Sequence, residues 1–263
     1  MWPALERALR YVSAGYIDLR LYVTGKGDPE LPPLRLRDVG HGDFRALGQH
    51  LLTLSVTYGL ASPGSHILDI GCGVGRLALP LASFLTNGDY EGFDVSRCSI
   101  RWCRRNISRD HPNFHFSHVR LKNPQYTFRG GDAARFVFPY ENARFDCVVA
   151  YSVFTHLNFA EIRNYLQQTY RVLAPRGRFV ATYFLLNDET RSARGAGILQ
   201  FPHERDSVWL ASAVRPAFAV ALEQDVLTNL YAEVGFRDVV VERGGWCGRP
   251  QAATFQDLIV CRA

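Results

Sequence analysis

The segment Leu68–Arg76, Leu-Asp-Ile-Gly-Cys-Gly-Val-Gly-Arg, constrains the fold of this 263-residue chain more than any other. The apolar run 66–70 is typical of a short buried strand, and three glycines separate it from a run with helical spacing. Glycines at such a turn let the backbone bend sharply and approach a ligand closely, beside the N-terminus of the next helix. The segment therefore predicts a strand, a ligand-binding turn and a helix.

The alternation of short apolar strands with helices continues along the chain, which predicts an α/β fold with a parallel sheet covered on both faces. The predicted strands are 66–70, 90–94, 114–119, 145–151, 178–186, 236–243 and 255–261. The predicted helices between them are 76–84, 96–109, 161–173 and 224–234, the last stopped by Gly235. Residues 187–222 show no clear period and are interpreted as an insertion, or lid, over the carboxyl edge of the sheet.

Two further helices are predicted ahead of the sheet. One covers 4–24, a Gly/Pro-rich linker follows at 25–33, and a second helix runs from Asp43, as its N-cap, to about Tyr58. Neither belongs to a minimal sheet of this kind. We therefore expect an N-terminal helical cap over 1–60 and the main ligand-binding domain over 61–263, interrupted by the insertion at 187–222.

The glycine spacing and its acidic neighbours indicate which kind of cofactor binds. A dinucleotide site uses G-x-G-x-x-G, where the helix dipole holds a pyrophosphate, whereas this chain has G-x-G-x-G with Asp69 two places earlier. Asp69 would repel a pyrophosphate but suits a cofactor with an amino group and a sulfonium. Asp94 ends the next predicted strand, where a carboxylate can accept hydrogen bonds from both hydroxyls of a ribose. The alternative is a tight turn plus a helix-capping Asp94.

These residues resemble motif I and the following acidic motif of class I S-adenosylmethionine (SAM)-dependent methyltransferases. The resemblance covers roughly residues 38–263 and includes Tyr90–Asp94, Phe145–Val149, Ser152–Leu157 and Arg171–Arg178. It implies a Rossmann-like, seven-stranded sheet with a reversed final strand, and SAM lying across the ends of strands 1 to 4. It also implies that Asp69 and Gly71 approach the methionine part, Asp94 the ribose, and Asp132 and Ala133 the adenine. The expected cofactor-binding residues are Asp69, Gly71, Cys72, Gly73, Gly75, Arg76, Asp94, Val95, Asp132, Ala133 and Ser152.

His156 is the candidate catalytic base. Methyl transfer from a sulfonium is an in-line displacement, and a hydroxyl acceptor also needs its proton removed. His156 follows the fourth predicted strand by a few residues, and its intrinsic pKa lies near neutrality. The alternatives are that it caps or orients the helix beginning near Asn158, or that it packs against the cofactor.

Several residues at the carboxyl edge of the sheet are candidates for acceptor binding: Tyr183, Asn187, His203, Trp246 and Arg249. The run Gly244–Arg249 with Gln256-Asp257 is similar to a subset of bacterial methyltransferases linked to glycan or secondary-metabolite modification. The alternative is a tight turn in which Trp246 fills the core. The block Gly40–Phe44 either closes over the cofactor or caps a helix.

We expect methyl transfer to a hydroxyl of a small molecule, such as a sugar, a phenol or a natural product. The alternatives are N-methylation of a small amine, RNA methylation on a basic surface, and a catalytically silent binding protein of the same fold. The Pro-Pro motif that accompanies adenine or glutamine methylation in the resembled family is absent after the fourth strand, where Tyr151–Phe154 stands. Part of the net charge of +5 comes from arginines spaced along one helix face, which we interpret as solvated rather than as a nucleic-acid patch: Arg101, Arg104, Arg105 and Arg109.

Other features set broad expectations about the environment of the chain. No familiar fourth ligand accompanies His111, His115 and His118, so no metal is expected. Six scattered cysteines without a CxxC pair do not form a disulfide framework. No apolar stretch has the roughly 20 residues that a membrane span needs, and the N-terminus lacks a secretory apolar region, so a cytoplasmic location is expected. The oligomeric state has no signal in the sequence.

Overall fold

The computed structural model describes residues 2–37, with the backbone alone at 2–10, together with 42–123, 129–193 and 198–263. The helices are α1 Trp2–Val23, α2 Phe44–Thr57, α3 Ala78–Phe84, α4 Arg97–Asn106, α5 Phe159–Val172, α6 Asp188–Ser192 and α7 Gln224–Val234. The strands are β1 His66–Ile70, β2 Asp89–Asp94, β3 Phe114–His118, β4 Phe145–Ala150, β5 Leu173–Tyr183, β6 Leu185–Leu186, β7 His203–Arg205, β8 Val208–Leu210, β9 Val220–Glu223, β10 Arg237–Glu242 and β11 Asp257–Arg262.

Seven strands form the main sheet in the order β10-β11-β5-β4-β1-β2-β3. β1 pairs in parallel with both β2 and β4, whereas β11 runs antiparallel to β5 and β10. The expected mostly parallel sheet with a reversed final strand is therefore confirmed. The strand order reverses between β4 and β1, and ligands of open α/β sheets bind at the carboxyl ends of the strands at such a point.

Alternating side chains of the strands supply the cores on the two faces of the sheet. In β1, Ile67 packs into one core, and its neighbour Leu68 packs into the other, both essentially inaccessible to solvent. β4 repeats the arrangement with Cys147 and Val148. This is the period-two alternation of a strand buried on both faces, and it explains why these segments are nearly continuous apolar runs.

Helix ends follow the signals in the sequence where those signals are local. Asp43 caps α2, its carboxylate accepting a 2.6 Å hydrogen bond from the amide of Ala46. Gly235 ends α7 in the left-handed conformation, with φ at +113°. Both assignments were predicted from residue type alone, because a capping carboxylate and a C-terminal glycine each satisfy a backbone requirement of one turn.

The structure corrects the predicted boundary between α5 and the fifth strand. The helix ends at Val172 and β5 begins at once with Leu173, rather than at residue 178. Phe145 of β4 pairs with Leu173, but Cys147 pairs with Arg178, so the residues between form an irregularity inside the strand. A proline and a glycine in that irregularity look like a break in the sequence, although the strand continues on both sides.

The insertion also has more structure than its sequence indicates. Within 187–222, α6 precedes three short strands, which join β6 in a second, four-stranded sheet of order β6-β9-β8-β7. Those three strands have only three or four residues each. Such lengths are too short for a periodicity to emerge from the sequence.

The N-terminal helices attach to the molecule differently. The carboxylate of Asp18 in α1 accepts hydrogen bonds from the amides of Leu34 and Arg35, at 2.7 and 3.2 Å, and so holds the 3₁₀ turn Leu34–Leu36. α2 packs on α3 so closely that a Cβ on Gly48 would lie 2.5 Å from the carbonyl oxygen of Arg76. The division into a cap over 1–60 and a main domain over 61–263 stays a prediction.

The cysteines and the arginines of α4 differ in their exposure to solvent. Of the six cysteines, all free thiols, only Cys98 is exposed. The four arginines of the predicted basic face are exposed on α4 or just after it. No helix within the described residues has both the length and the apolar character that crossing a membrane requires.

Candidate active site

A cavity of about 1080 Å³ lies at the carboxyl ends of the central strands. Its walls come from the glycine turn after β1, the end of β2, the segment 151–157 after β4, helix α2 and the loop 249–256. Typical single-ligand sites occupy roughly 300–1,000 Å³. The cavity therefore has room for more than one small ligand.

Two glycines of the turn have left-handed backbone conformations but different surroundings. Gly71 has φ at +68°, and a Cβ there would lie 2.6 Å from Cγ2 of Val153. Gly73 has φ at +54°, and a Cβ there would meet nothing within 4 Å. The amides of Gly71 and Cys72 donate to the carbonyl of Phe93, at 2.8 and 3.1 Å, which fixes the turn against β2. The segment thus forms the sharp turn between β1 and α3 that its glycines predict.

Gly75 serves the packing of the turn rather than the cavity wall. Its φ is +77°, and a Cβ there would lie 2.7 Å from Cδ1 of Ile107 and 3.3 Å from Sγ of Cys103. Both neighbours belong to α4 or its end. The glycine thus allows the turn to lie directly on that helix, and the cavity wall does not include it.

Asp94 lies at the end of β2 and on the cavity wall. Its Oδ2 accepts a 2.9 Å hydrogen bond from the amide of Gly73, and its Oδ1 accepts a 2.6 Å bond from the amide of Ser96. A carboxylate at the end of this strand can accept hydrogen bonds from hydroxyl groups. The arrangement fits the two hydroxyls of a ribose.

Asp69 also lies on the cavity wall, and its side chain is buried. Burial raises the pKa of its carboxyl to about 7, and the charge of Asp94 acts in the same direction, while a 2.6 Å hydrogen bond from the Tyr90 hydroxyl opposes the shift. A cation placed beside this carboxyl would favour its ionised form. The site thus fits a cofactor with an amino group or a sulfonium, and it does not fit a pyrophosphate.

The residues predicted near adenine separate into two groups. Val95 and Ala133 line the cavity. Asp132 is exposed, and its carboxylate accepts a 2.9 Å hydrogen bond from the amide of Ala134 as the N-cap of the 3₁₀ turn Ala133–Arg135. The structure therefore does not bring the side chain of Asp132 to the cavity wall.

Ser152 is held in an uncommon backbone conformation beside the glycine turn. Its φ is +57°, a left-handed value that residues other than glycine seldom adopt. Its amide donates to Oγ1 of Thr182 at 2.7 Å, and its hydroxyl donates to Oε1 of Gln256 at 3.0 Å. Ser152 thus connects β4, β5 and the loop before β11 at the cavity.

His156 lies on the same wall, at the end of the 3₁₀ turn Phe154–His156. Its Nδ1 lies 2.9 Å from the carbonyl oxygen of Ala217 in the insertion. Burial lowers the pKa of its imidazole, and hydrogen bonds to the carbonyls of Ala217 and Phe218 partly oppose the change. The imidazole is therefore largely neutral at pH 7, which is the state that accepts a proton.

Of the five residues predicted to bind the acceptor, only Arg249 lines the cavity. Its guanidinium lies 2.9 Å from Oε1 of Glu189. Tyr183 lies between Thr182 and Phe184, which both line the cavity. Because successive side chains of a strand point to opposite faces, Tyr183 points away from the cavity, and its hydroxyl lies 2.8 Å from that of Tyr231 in the opposite core.

The remaining three predicted acceptor residues lie elsewhere. Asn187 is the N-cap of α6, His203 is exposed on β7, and neither reaches the cavity wall. Trp246 is buried and donates from Nε1 to Oδ2 of Asp257 at 2.6 Å. The reading of Trp246 as a core residue agrees with this packing.

Sequence reasoning missed several residues that do line the cavity, among them Arg37 and His50. His50 belongs to α2, and its Nε2 lies 2.8 Å from the carbonyl oxygen of Ala253 in the loop before β11. No local motif distinguishes these residues, since they reach the cavity only through long-range packing. Of the block Gly40–Phe44, Gly40 and His41 lie outside the described residues, and Phe44 lines the cavity.

Residues 67–177 match the sequence model of a family described as a methyltransferase domain. The matched segment contains the glycine turn, Asp94 and His156. These residues therefore form a methyltransferase domain. SAM is accordingly the cofactor of this domain, and the geometry of Asp69 and Asp94 fits it.

Two curated relatives illustrate the range of chemistry among similar methyltransferases. The chain is 26% identical over 209 residues to a sterol 24-C-methyltransferase of Schizosaccharomyces pombe, covering 72% of this chain and 48% of the relative. It is 32% identical over 145 residues to an O-methyltransferase of Pyrenophora dematioidea, covering 54% of this chain and 48% of the relative. The chain thus spans about half the length of these relatives.

Solved structures share the fold of the methyltransferase at low sequence identity. The PH0226 protein of Pyrococcus horikoshii superposes with a TM-score of 0.60 at 19% identity, over 86% of this chain and 93% of the other. A SAM-dependent methyltransferase from Mesorhizobium loti superposes with a TM-score of 0.55 at 14% identity, over 81% of this chain and 98% of the other. Across the described parts of the chain, no group of three or more His, Cys, Asp or Glu side chains is arranged to hold a metal ion.

Proposed function

We propose that this protein transfers the methyl group of SAM to a hydroxyl group of a small molecule. The observation that carries the proposal is His156, a half-buried imidazole of lowered pKa on the wall of the cavity. When bound, SAM supplies an electrophilic methyl group. A hydroxyl attacks such a group far better once it loses its proton, and a neutral imidazole can accept that proton.

The proposed cofactor site combines the glycine turn, Asp69, Asp94, Val95 and Ala133. In it Asp94 binds the ribose, Asp69 lies beside the cationic end, and the apolar residues contact the adenine. Their common place on one cavity wall supports this assignment. Holding the cofactor and the acceptor in one enclosed space aligns the reacting atoms and is itself a large part of catalysis.

The acceptor end of the cavity favours an aromatic or otherwise apolar molecule over a bare sugar. Phe184, Leu199, Phe218 and Phe255 line this end, and apolar walls with a few polar groups are typical of sites for small organic ligands. A curated O-methyltransferase is among the similar proteins, as are a 2-phytyl-1,4-naphtoquinone methyltransferase and a demethylmenaquinone methyltransferase. Of the expected acceptors, a phenol fits this wall best.

A screen with methyl-labelled SAM tests the proposal. Phenols, sugars and small amines are offered to the purified protein, and the labelled product is identified. For the accepted phenol, His156→Gln should lower kcat by roughly 10²–10⁴-fold, the usual contribution of a general base, while the affinity for SAM stays unchanged. His115→Gln, an exposed histidine on β3, is the matched control and should leave kcat unchanged.

Two results would overturn the proposal. Labelling of amines alone would replace oxygen with nitrogen as the acceptor atom. Full turnover in His156→Gln, with a hydroxyl acceptor, would remove His156 as the base.

A further inference from the structure

Two arginines from distant parts of the chain lie close to one aromatic ring at the cavity wall. The Cζ atom of Arg37 lies 5.4 Å from the ring centroid of Phe44, and the Cζ atom of Arg76 lies 5.3 Å from it. All three residues line the cavity. Arg37 precedes the matched methyltransferase segment 67–177, whereas Arg76 lies within it.

The side chain of Arg37 and the backbone of Arg76 are held by the chain around them. Nε of Arg37 donates a 2.8 Å hydrogen bond to the carbonyl of Pro32. Arg37 also follows the turn that Asp18 of α1 fixes through the amides of Leu34 and Arg35. The backbone of Arg76 lies against α2 at Gly48. These contacts position the guanidinium of Arg37 and the backbone that carries Arg76.

The electrostatics of the pair favour an anion. Burial and the charge of Arg37 both lower the pKa of Arg76. Two cations that destabilise one another in a partly buried wall are both stabilised by a negative charge placed near them. Guanidinium groups also match the planar geometry of a carboxylate with paired N–H donors.

The position of the pair indicates which carboxylate it meets. Asp94 marks the ribose end of the proposed cofactor site, and Val95 and Ala133 mark the adenine wall beyond it. Arg76 follows directly on the glycine turn and precedes α3, which packs against α2. SAM has one anionic group, the carboxylate of its methionine part, and that end of the molecule is directed away from the adenine.

We propose that Arg37 and Arg76, which both lie close to Phe44, form the subsite for the methionine carboxylate of SAM. The proposal rests on the proposed cofactor site and extends it beyond the matched segment, because Arg37 comes from the chain before α2. Arg37 then takes part in cofactor binding and does more than cover the cavity. A carboxylate on the acceptor could bind the same two arginines. The ligands used in the test distinguish a carboxylate of SAM from a carboxylate of the acceptor.

Calorimetry with two ligands tests the assignment. S-adenosylhomocysteine carries the carboxylate, and 5′-methylthioadenosine keeps the adenosine and the thioether but lacks the amino-acid part. Arg37→Gln should weaken S-adenosylhomocysteine binding roughly 10- to 100-fold, the usual range for a hydrogen bond to a charged group, and change 5′-methylthioadenosine binding less than twofold. Arg37→Lys should recover part of the loss. Arg45→Gln, an exposed arginine of α2 paired with Asp28 and Glu30, is the control and should change neither affinity.

Three outcomes would overturn the assignment. Equal weakening of both ligands by Arg37→Gln would mean that the arginine supports the fold of the cavity and not the carboxylate. Unchanged binding of both ligands would remove the subsite. A higher KM for a carboxylate-bearing acceptor, with unchanged S-adenosylhomocysteine binding, would assign the anion to the acceptor. If the unmodified protein binds neither ligand, the proposed function itself fails, which is a separate result.

Discussion

Cofactor binding should depend on pH through Asp69, whose buried carboxyl has its pKa raised to about 7. In the free protein at pH 6 this group is mostly protonated, and at pH 8 it is mostly ionised. The proposed site places a cationic end of the cofactor beside it, and a cation favours the carboxylate form. Binding at pH 6 must therefore also remove the proton, which costs free energy.

The size of the effect follows from the pKa. Suppose that this group has a pKa of about 7 in the free protein and is ionised in the complex. Its protonation then raises the apparent Kd roughly tenfold at pH 6, or by about 1.4 kcal/mol, and only by about 10% at pH 8. Binding should release about 0.9 proton at pH 6 and about 0.1 proton at pH 8. Binding releases protons and does not take them up, because the pKa of Asp69 is higher in the free protein than in the complex with a cationic ligand.

Calorimetry of S-adenosylhomocysteine in two buffers of different ionisation enthalpy measures both quantities. Asp69→Asn should abolish the pH dependence. Tyr90→Phe removes a hydrogen bond that lowers the pKa of Asp69, so it should move the midpoint of the dependence to higher pH. An affinity that stays constant between pH 6 and pH 8, or proton uptake on binding, would refute the reasoning.

Three substitutions test other parts of the site. Asp94→Ala should weaken SAM binding roughly 10- to 100-fold by calorimetry, since it removes a charged acceptor. Gly71→Ala should lower the denaturation midpoint in urea more than Gly73→Ala does, because only the first Cβ collides with Val153, although both glycines have positive φ; equal effects would contradict the packing argument. Trp246→Phe should lower the free energy of unfolding by about 1–3 kcal/mol, because a buried carboxylate loses a donor, and an unchanged urea midpoint would show that this hydrogen bond contributes little.

The fold and the meeting of the glycine turn, Asp69 and Asp94 at one cavity were predictable because their signals are local. The glycine turn, Asp69 and Asp94 lie within 27 residues of sequence, counting from 68 to 94. Each is placed by the geometry of a single turn or strand end. Gly75 belongs to the same motif, yet it packs against α4 and not on the cavity wall. A motif indicates that a turn exists, and packing decides which of its atoms face the ligand.

The acceptor half could not be predicted in the same way, because residues distant in sequence build it. A shift of one position in a strand moves a side chain to the opposite face, which is why Thr182 and Phe184 line the cavity and Tyr183 does not. Nε2 of His50 in α2 lies within hydrogen-bond distance of a carbonyl in the loop before β11. Neither the face to which a side chain of β5 points nor the contact between α2 and this loop produces a recognisable pattern in the sequence.

The reversed final strand explains why that last loop belongs to the cavity at all. Because β11 runs antiparallel to β5, its first residue, Asp257, pairs with Tyr183 at the carboxyl end of β5. The loop before it must then lie over the same edge as the cofactor site. The carboxylate of Asp257 accepts hydrogen bonds from the amides of Leu185 and Gly244 and from Nε1 of Trp246, which fixes the loop to β6. A buried aspartate away from the cavity wall thus positions the part of the wall that we propose meets the acceptor.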